Sequence, residues 1–361
     1  MEKLIVQGAP HIYRCEAGVL GSLEEHLTAL DYHSVLVVHG KESWTAVQPY
    51  FPEFEKVASE FIEYRSECSL AEIDRIAQAA GGSDAIIGVG GGKILDLAKA
   101  AARQSGTEVV LVPTVASNCA AWTPLSVIYD NGKYIRFDIH PKNASLVLVE
   151  PEVLLHAPID MLAAGIGDTI AKWYESDVQF RQLDGFTAPV SIAHYAARLC
   201  YDELLEHGEA AMTAARQGEL NDSFIKTAET IIMTAGLVGG FSDPNRIVAA
   251  AHAVHNGLTV LDETHHLQHG AKVAYGILIQ LVLEDRWEEA DKLAEYFRQV
   301  DLPTSLGDLG IEAVTEKTLL PVAIKAAAPS ETIHNLREDG VPAQEVLQAM
   351  LVYEKHISVA R

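Results

Sequence analysis

Short apolar runs alternate with amphipathic stretches through the first 150 residues. Residues 34–40 (SVLVVHG) are a β-branched apolar run ending in glycine, the pattern of a buried parallel strand followed by a turn. A helix is predicted from Lys41, a strand over 58–63, a helix over 70–80, and a strand over 84–89 that runs into three glycines. KILDLAKAAARQ reads as a helix with Ile94, Leu95, Leu97 and Ala98 on its apolar side, and 109–114 as the next strand. The alternation predicts a parallel sheet with helices on both faces. Residues 4–18 read as an edge hairpin, residues 125–137 as a hairpin around Asp130-Asn131-Gly132, and 145–151 as a last strand. From about residue 157 to the end the spacing is helical. The expected architecture is an α/β N-terminal domain, residues 1–155, and an all-α C-terminal domain, residues 156–361.

Composition narrows the function classes. Hydrophobic residues make up 48 % of the chain, enough for real cores, while 27 basic against 50 acidic residues give a net charge of −23. That balance argues against nucleic acid and anionic membranes as partners. An anionic substrate or cofactor would need a local cationic pocket. Four scattered cysteines, Cys15, Cys68, Cys119 and Cys200, form neither a disulfide framework nor a thiolate metal site. They fit a reducing cytoplasm. No stretch has the apolar core of a signal peptide or the length of a membrane span.

Three stretches carry candidate chemistry. Residues 252–269 hold five of the fifteen histidines: His252, His255, His265, His266 and His269. Imidazole is the commonest metal ligand, although isolated histidines are more often surface or core residues. Gly90, Gly91 and Gly92 lie between a strand and a helix, where the backbone and helix N-terminus suit a pyrophosphate, with Lys93 adding charge; a plain tight turn is the lesser alternative. The loop 113–129 follows the next strand and offers the hydroxyls of Thr114, Ser117 and Thr123. Asp168 reads as beginning a helix after Gly167, with Lys172 one turn on.

Taken in order, GVGGGK-x-x-D-x-AK, PT-x-AS, G-x-GD and H-x-x-HNG followed by HG span nearly the whole chain. The set resembles the metal-dependent (iron/zinc, type III) alcohol dehydrogenases. Within them it is similar to the glycerol dehydrogenase branch, and most of all to the bacterial hydroxycarboxylate dehydrogenases, through CAAWTPLSV, AGIGDTIAKWYE and AAAHAVHNGLTVL. The resemblance implies a Rossmann-like sheet domain joined to a helical domain, the dehydroquinate synthase-like fold, with the site between them. It implies zinc or another divalent metal on Asp168, His252 and His269, with His255 in the same cleft as a proton carrier. It implies a nicotinamide dinucleotide against Gly90, Gly91, Gly92, Lys93, Thr114, Ser117, Thr123, Leu125 and Tyr129. Asp96 and Lys99 belong to the family pattern and are expected to pack or cap. His265 and His266 match no ligand position. A homo-oligomer is also implied.

Three departures shape the expected activity. Gly40 stands where glycerol dehydrogenases carry an aspartate that accepts from the ribose, and Lys41 follows it, which predicts NADP(H) over NAD(H). Cys119 stands where an aspartate contacts glycerol, which disfavours glycerol. Lys172 stands where iron-type relatives have a histidine ligand, which favours a three-ligand metal and, with Arg246, offers a charge for a substrate carboxylate. The expected reaction is reduction of small 2-oxo acids, such as 2-oxoglutarate or 2-oxobutanoate, to 2-hydroxy acids. The alternatives are an NAD-dependent glycerol or polyol dehydrogenase and, more distantly, a dehydroquinate synthase-like lyase.

Overall fold

The structure, a computed structural model, describes residues 4–65, 67–183, 185–242 and 249–360. Its strands all fall before residue 150: β1 (Ile12–Cys15), β2 (Ser34–His39), β3 (Ala58–Glu63), β4 (Ala85–Gly90), β5 (Glu108–Pro113), β6 (Leu125–Asp130), β7 (Lys133–Ile139) and β8 (Leu146–Val149). Six of them form one sheet in the order β1-β8-β5-β4-β2-β3. Every pairing in it is parallel. The continuous apolar runs seen in the sequence are the strands buried on both faces, as in β4 and β8. One face packs against α1 (Leu23–Ala29) and α2 (Lys41–Val47), the other against α3 (Leu70–Ala79) and α4 (Gly92–Ser105).

The topology decides where a ligand fits. From β2 the chain moves outward to β3, then returns to the other side of β2 and continues through β4, β5 and β8. The strand order therefore reverses between β2 and β4, and the crevice at their carboxyl ends is the general binding position of open α/β sheets. Gly40 follows β2, and Gly91 follows β4.

The rest is helical: α5 (Pro151–Leu155), α6 (Ile159–Phe180), α7 (Ala188–Gln217), α8 (Asp222–Glu229), α9 (Ala235–Gly240), α10 (Ala250–Leu258), α11 (His269–Leu283), α12 (Trp287–Gln299), α13 (Glu316–Ala326) and α14 (Ala343–Ala360). Buried side chains from α6, α10, α11, α13 and α14 continue without a break into the α3–α4 face of the sheet, so one core joins the two parts. Among the described residues, no helix is long and apolar enough to cross a membrane.

Two local expectations are corrected. Residues 4–18 do not form a hairpin: Ile12–Cys15 make a single parallel strand against Leu146–Val149. The distant strand β8 supplies the backbone partners that a local hairpin would have supplied. Asp168 does not begin a helix either. The helix starts at Ile159 and runs through Gly165 and Gly167, so Asp168 lies in its middle. Each glycine costs a helix about 1 kcal/mol relative to alanine. Both are retained because other backbone presses against them, as the site makes plain.

Candidate metal and cofactor site

Asp168, His252 and His269 converge from α6, α10 and α11, with one ligand atom of each lying within 4.8 Å of the others. His252 Nε2 and His269 Nε2 each stand 3.4 Å from Asp168 Oδ1. Ligand atoms bound tetrahedrally at about 2.0 Å lie about 3.3 Å apart, so this spacing fits a divalent metal with a fourth position open. The approach of α6 to α11 depends on glycine. A Cβ on Gly270 would lie 1.8 Å from the Ala164 carbonyl oxygen, and one on Gly167 would lie 2.6 Å from that of Gly270. A Cβ on Gly276 would likewise lie 2.3 Å from the Ala251 carbonyl, which lets α11 meet α10 beside His252.

The site is held from behind by residues that the motif reading left out. Glu175 is fully buried two turns after Asp168 on α6. Its carboxylate accepts from His252 Nδ1 at 2.5 Å and from the backbone N–H groups of Ala249 and His252 at 2.8 and 3.0 Å. Gln280 Oε1, from α11, accepts from the N–H groups of Ala250 and Ala251 at 3.2 Å. The start of α10 has no side-chain cap of its own. Its free N–H groups are instead satisfied by two neighbouring helices, which locks the turn that presents His252. Asp168, Lys172 and Glu175 follow the spacing of one helix face, the one signal that could have marked Glu175 beforehand.

His255 packs directly behind His269, with its Nε2 3.1 Å from His269 Nδ1. His265 and His266 are exposed, and His265 Nε2 donates to the Thr259 carbonyl at 2.9 Å. Burial alone would raise the Asp168 carboxyl, but Lys172, His252 and His269 outweigh it and hold it well below the usual range. Burial alone would lower His252; the carboxylates of Glu175 and Asp168 win and push it up to about 9. His255 is held well below its usual value, first by burial and then by His269, His252 and Lys272.

Lys172 is buried, with its ammonium 3.9 Å from Asp168 Oδ2. Burial works against its charge, and Asp168, Cys119 and Glu175 more than offset that. Cys119 is within electrostatic reach of both Lys172 and Asp168, and burial pushes its thiol up. Arg246 lies outside the described residues.

The glycine turn is linked to this cluster by the loop after β5, in which Asn118 lies against Gly92 and Cys119 lies near Lys172 and Asp168. Gly91 caps α4 with no side-chain hydrogen bond, so the N-terminus of a 14-residue helix is open. A Cβ on Gly92 would lie 2.9 Å from Asn118 Nδ2, and one on Gly40 would lie 3.0 Å from Ile94 Cδ1. A side chain at either position would crowd its neighbour, so the turn keeps a bare backbone, which fits close approach of a pyrophosphate. Lys93 reaches over the Tyr129 ring at 5.8 Å. Lys41 is exposed at the start of α2. Thr114 is buried, its N–H bonded to the Gly90 carbonyl at 3.1 Å. Ser117 Oγ accepts from Asn118 Nδ2, and Thr123 Oγ1 donates to the Cys119 carbonyl at 3.4 Å. The loop is pinned from below. Lys99 is buried, pairs with Asp96 at 2.9 Å, and donates to the carbonyls of Ala120 at 2.7 Å, Thr123 at 3.0 Å and Leu125. Asp96 in turn accepts from the Val127 N–H at 3.0 Å. This pair packs the loop onto α4, as expected. The same loop meets α6, since a Cβ on Gly165 would lie 2.2 Å from the Ala116 carbonyl oxygen.

Residues 10–151 match the family described as iron-containing alcohol dehydrogenase. Hydroxycarboxylate dehydrogenase A of Escherichia coli (strain K12) is 38 % identical over 330 residues, 91 % of each chain. The glycerol dehydrogenase of Thermotoga maritima is 36 % identical over 354 residues, 96 % of each. The crystal structure of a probable glycerol dehydrogenase from Sinorhizobium meliloti 1021 superposes with a TM-score of 0.85 at 32 % identity, covering 97 % of this chain and 98 % of that one. The chain belongs to the iron-containing alcohol dehydrogenase family, and is an oxidoreductase acting on CH–OH groups of small molecules.

Proposed function

We propose that the protein interconverts small 2-oxo acids, 2-oxoglutarate and 2-oxobutanoate among them, with their 2-hydroxy acids, with zinc or another divalent metal on Asp168, His252 and His269 and with NADP(H) preferred over NAD(H). The observation that carries the substrate class is Lys172. A buried ammonium stands beside a metal-ligand carboxylate, 3.9 Å away, with no closer anion among the described residues. A buried cation so loosely paired is poised to take a second carboxylate, and its charge would hold a 2-oxo acid with the carbonyl turned to the metal position. Arg246 is a second candidate for the same carboxylate.

When bound, the metal supplies Lewis-acid polarisation of the carbonyl oxygen and the nicotinamide supplies the hydride. The chain's own groups do the rest. Glu175 orients His252, Asp168 brings the third ligand atom, and Lys172 aligns the substrate. Gly90, Gly91, Gly92, Lys93, Thr114, Ser117, Thr123, Leu125 and Tyr129 line the path proposed for the dinucleotide. Cys119 gives the pocket a weakly polar wall where glycerol hydroxyls would want a strong acceptor. Gly40 and Lys41 leave room and positive charge for a 2′-phosphate at the end of β2.

Oxidation of glycerol or another polyol with NAD is the second reading, favoured by relatives named glycerol dehydrogenase. Metal-analysed protein assayed with 2-oxobutanoate, 2-oxoglutarate and glycerol, each with both cofactors, separates the two. Lys172→Met should raise KM for 2-oxo acids at least about tenfold and leave that for neutral ketones much less changed. An equal effect on both classes would remove Lys172 from carboxylate binding. Four unpaired cysteines support a cytoplasmic setting. Exposed Tyr134, Ile135, Phe137 and Ile139 on the β6–β7 hairpin support self-association, which light scattering would measure.

A further inference from the structure

His269 needs more support than His252. It is the first residue of α11, its side chain is 51 % exposed, and among the described residues no carboxylate stands behind its Nδ1. To serve as a neutral ligand through Nε2, it must carry its proton on Nδ1 and donate it to something.

A chain of hydrogen bonds runs from that atom to a carboxylate, and its direction can be worked out from the far end. Glu331 lies 3.5 Å from the Lys325 ammonium through Oε1, and a carboxylate so paired only accepts. Its Oε2 lies 2.8 Å from Asn256 Nδ2, so the amide NH2 points towards Glu331. Asn256 Oδ1 is then left facing His255 Nδ1 at 3.1 Å, and as an acceptor it requires the proton there. A neutral imidazole has one N–H, so His255 Nε2 is a lone pair. It lies 3.1 Å from His269 Nδ1 and must accept from it. The proton of His269 is thereby placed on Nδ1, and its Nε2, 3.4 Å from Asp168 Oδ1, presents a lone pair to the metal position.

We propose that Asn256 and Glu331 are positioning residues which, acting through His255, fix the tautomer and ring orientation of His269 as a metal ligand. His255 then serves as a neutral link rather than a proton carrier. The proposal rests on the metal reading of Asp168, His252 and His269. It also explains why the histidine one turn after His252 is followed at once by asparagine.

The test measures zinc affinity of the full chain by competition with a chromophoric chelator, with melting of the metal-free protein as a check on folding. Gln at position 255 keeps the polarity, since its amide oxygen accepts from His269 and its NH2 donates to Asn256; Leu does neither. His255→Leu and Asn256→Leu should weaken zinc roughly 10- to 100-fold, the usual cost of losing such a partner. His255→Gln should stay within about threefold of the parent, since it preserves both hydrogen bonds. Glu331→Gln, which no longer dictates the amide's direction, should fall between. Should His255→Gln lose as much affinity as His255→Leu, or should all four variants bind like the parent, the proposal is overturned. A parent protein that binds no zinc would overturn the underlying metal reading instead, so the two failures are distinct.

Discussion

The two halves of the candidate site are built on opposite principles. On the sheet side the proposed cofactor surface is mostly backbone: at Gly40, Gly90, Gly91 and Gly92 a Cβ would crowd a neighbouring side chain, as that of Gly92 would Asn118. On the helical side the proposed metal site is mostly side chain: three ligands, then Glu175, Gln280 and His255 behind them. The first surface should be damaged by adding atoms and the second by removing them. Glycine also serves the second side, but there it works one layer back, where helix backbones touch.

That contrast can be tested in descending order of effect. The largest change should come from the buried pair under the loop after β5, which breaks the pattern because it is a side-chain device on the backbone side. Lys99→Met leaves Asp96 buried without its cation and frees three carbonyls, so the urea midpoint should fall by the equivalent of about 3–5 kcal/mol. A small shift would mean that the loop does not depend on this pair. Gly270→Ala comes next. Its Cβ would meet backbone at 1.8 Å, so α11 must move away from α6, at a cost of about 3 kcal/mol and with weakened metal binding. If stability and metal affinity both hold, the close approach is not what brings Asp168 and His269 together. Glu175→Gln removes the charge behind His252 while keeping the side chain's shape; zinc affinity should drop about 10- to 100-fold, read by chelator competition. The smallest effect on stability should be that of Gly92→Ala. Its new contact is the movable amide of Asn118, so folding should change by about 1 kcal/mol or less. The KM for the dinucleotide should still rise severalfold, and an unchanged KM would move the pyrophosphate elsewhere.

The strands and the glycine turn were legible in the sequence because they are local: a β-branched run buried on both faces declares itself within six residues, as 34–39 and 85–90 do. The ligand set was legible only through resemblance, since nothing in the spacing of Asp168, His252 and His269 links them. Two local readings failed where a distant partner overrode local preference. Ile12–Cys15 paired with a strand more than 130 residues away, and α6 ran straight through Gly165 and Gly167.

The sequence by itself determined the strand–helix alternation, the glycine turn and the absence of a cysteine framework, because each follows from residue type and short-range period. Only the tertiary structure decided that Glu175 and Gln280 would cap the helix carrying His252, that Ala164 would meet Gly270, and that Asn256 would link His255 to Glu331. These are contacts between side chains or backbones from 29 residues apart, for Gln280 and Ala251, to 106, for Ala164 and Gly270. No local pattern encodes them, since they exist only once the helices pack.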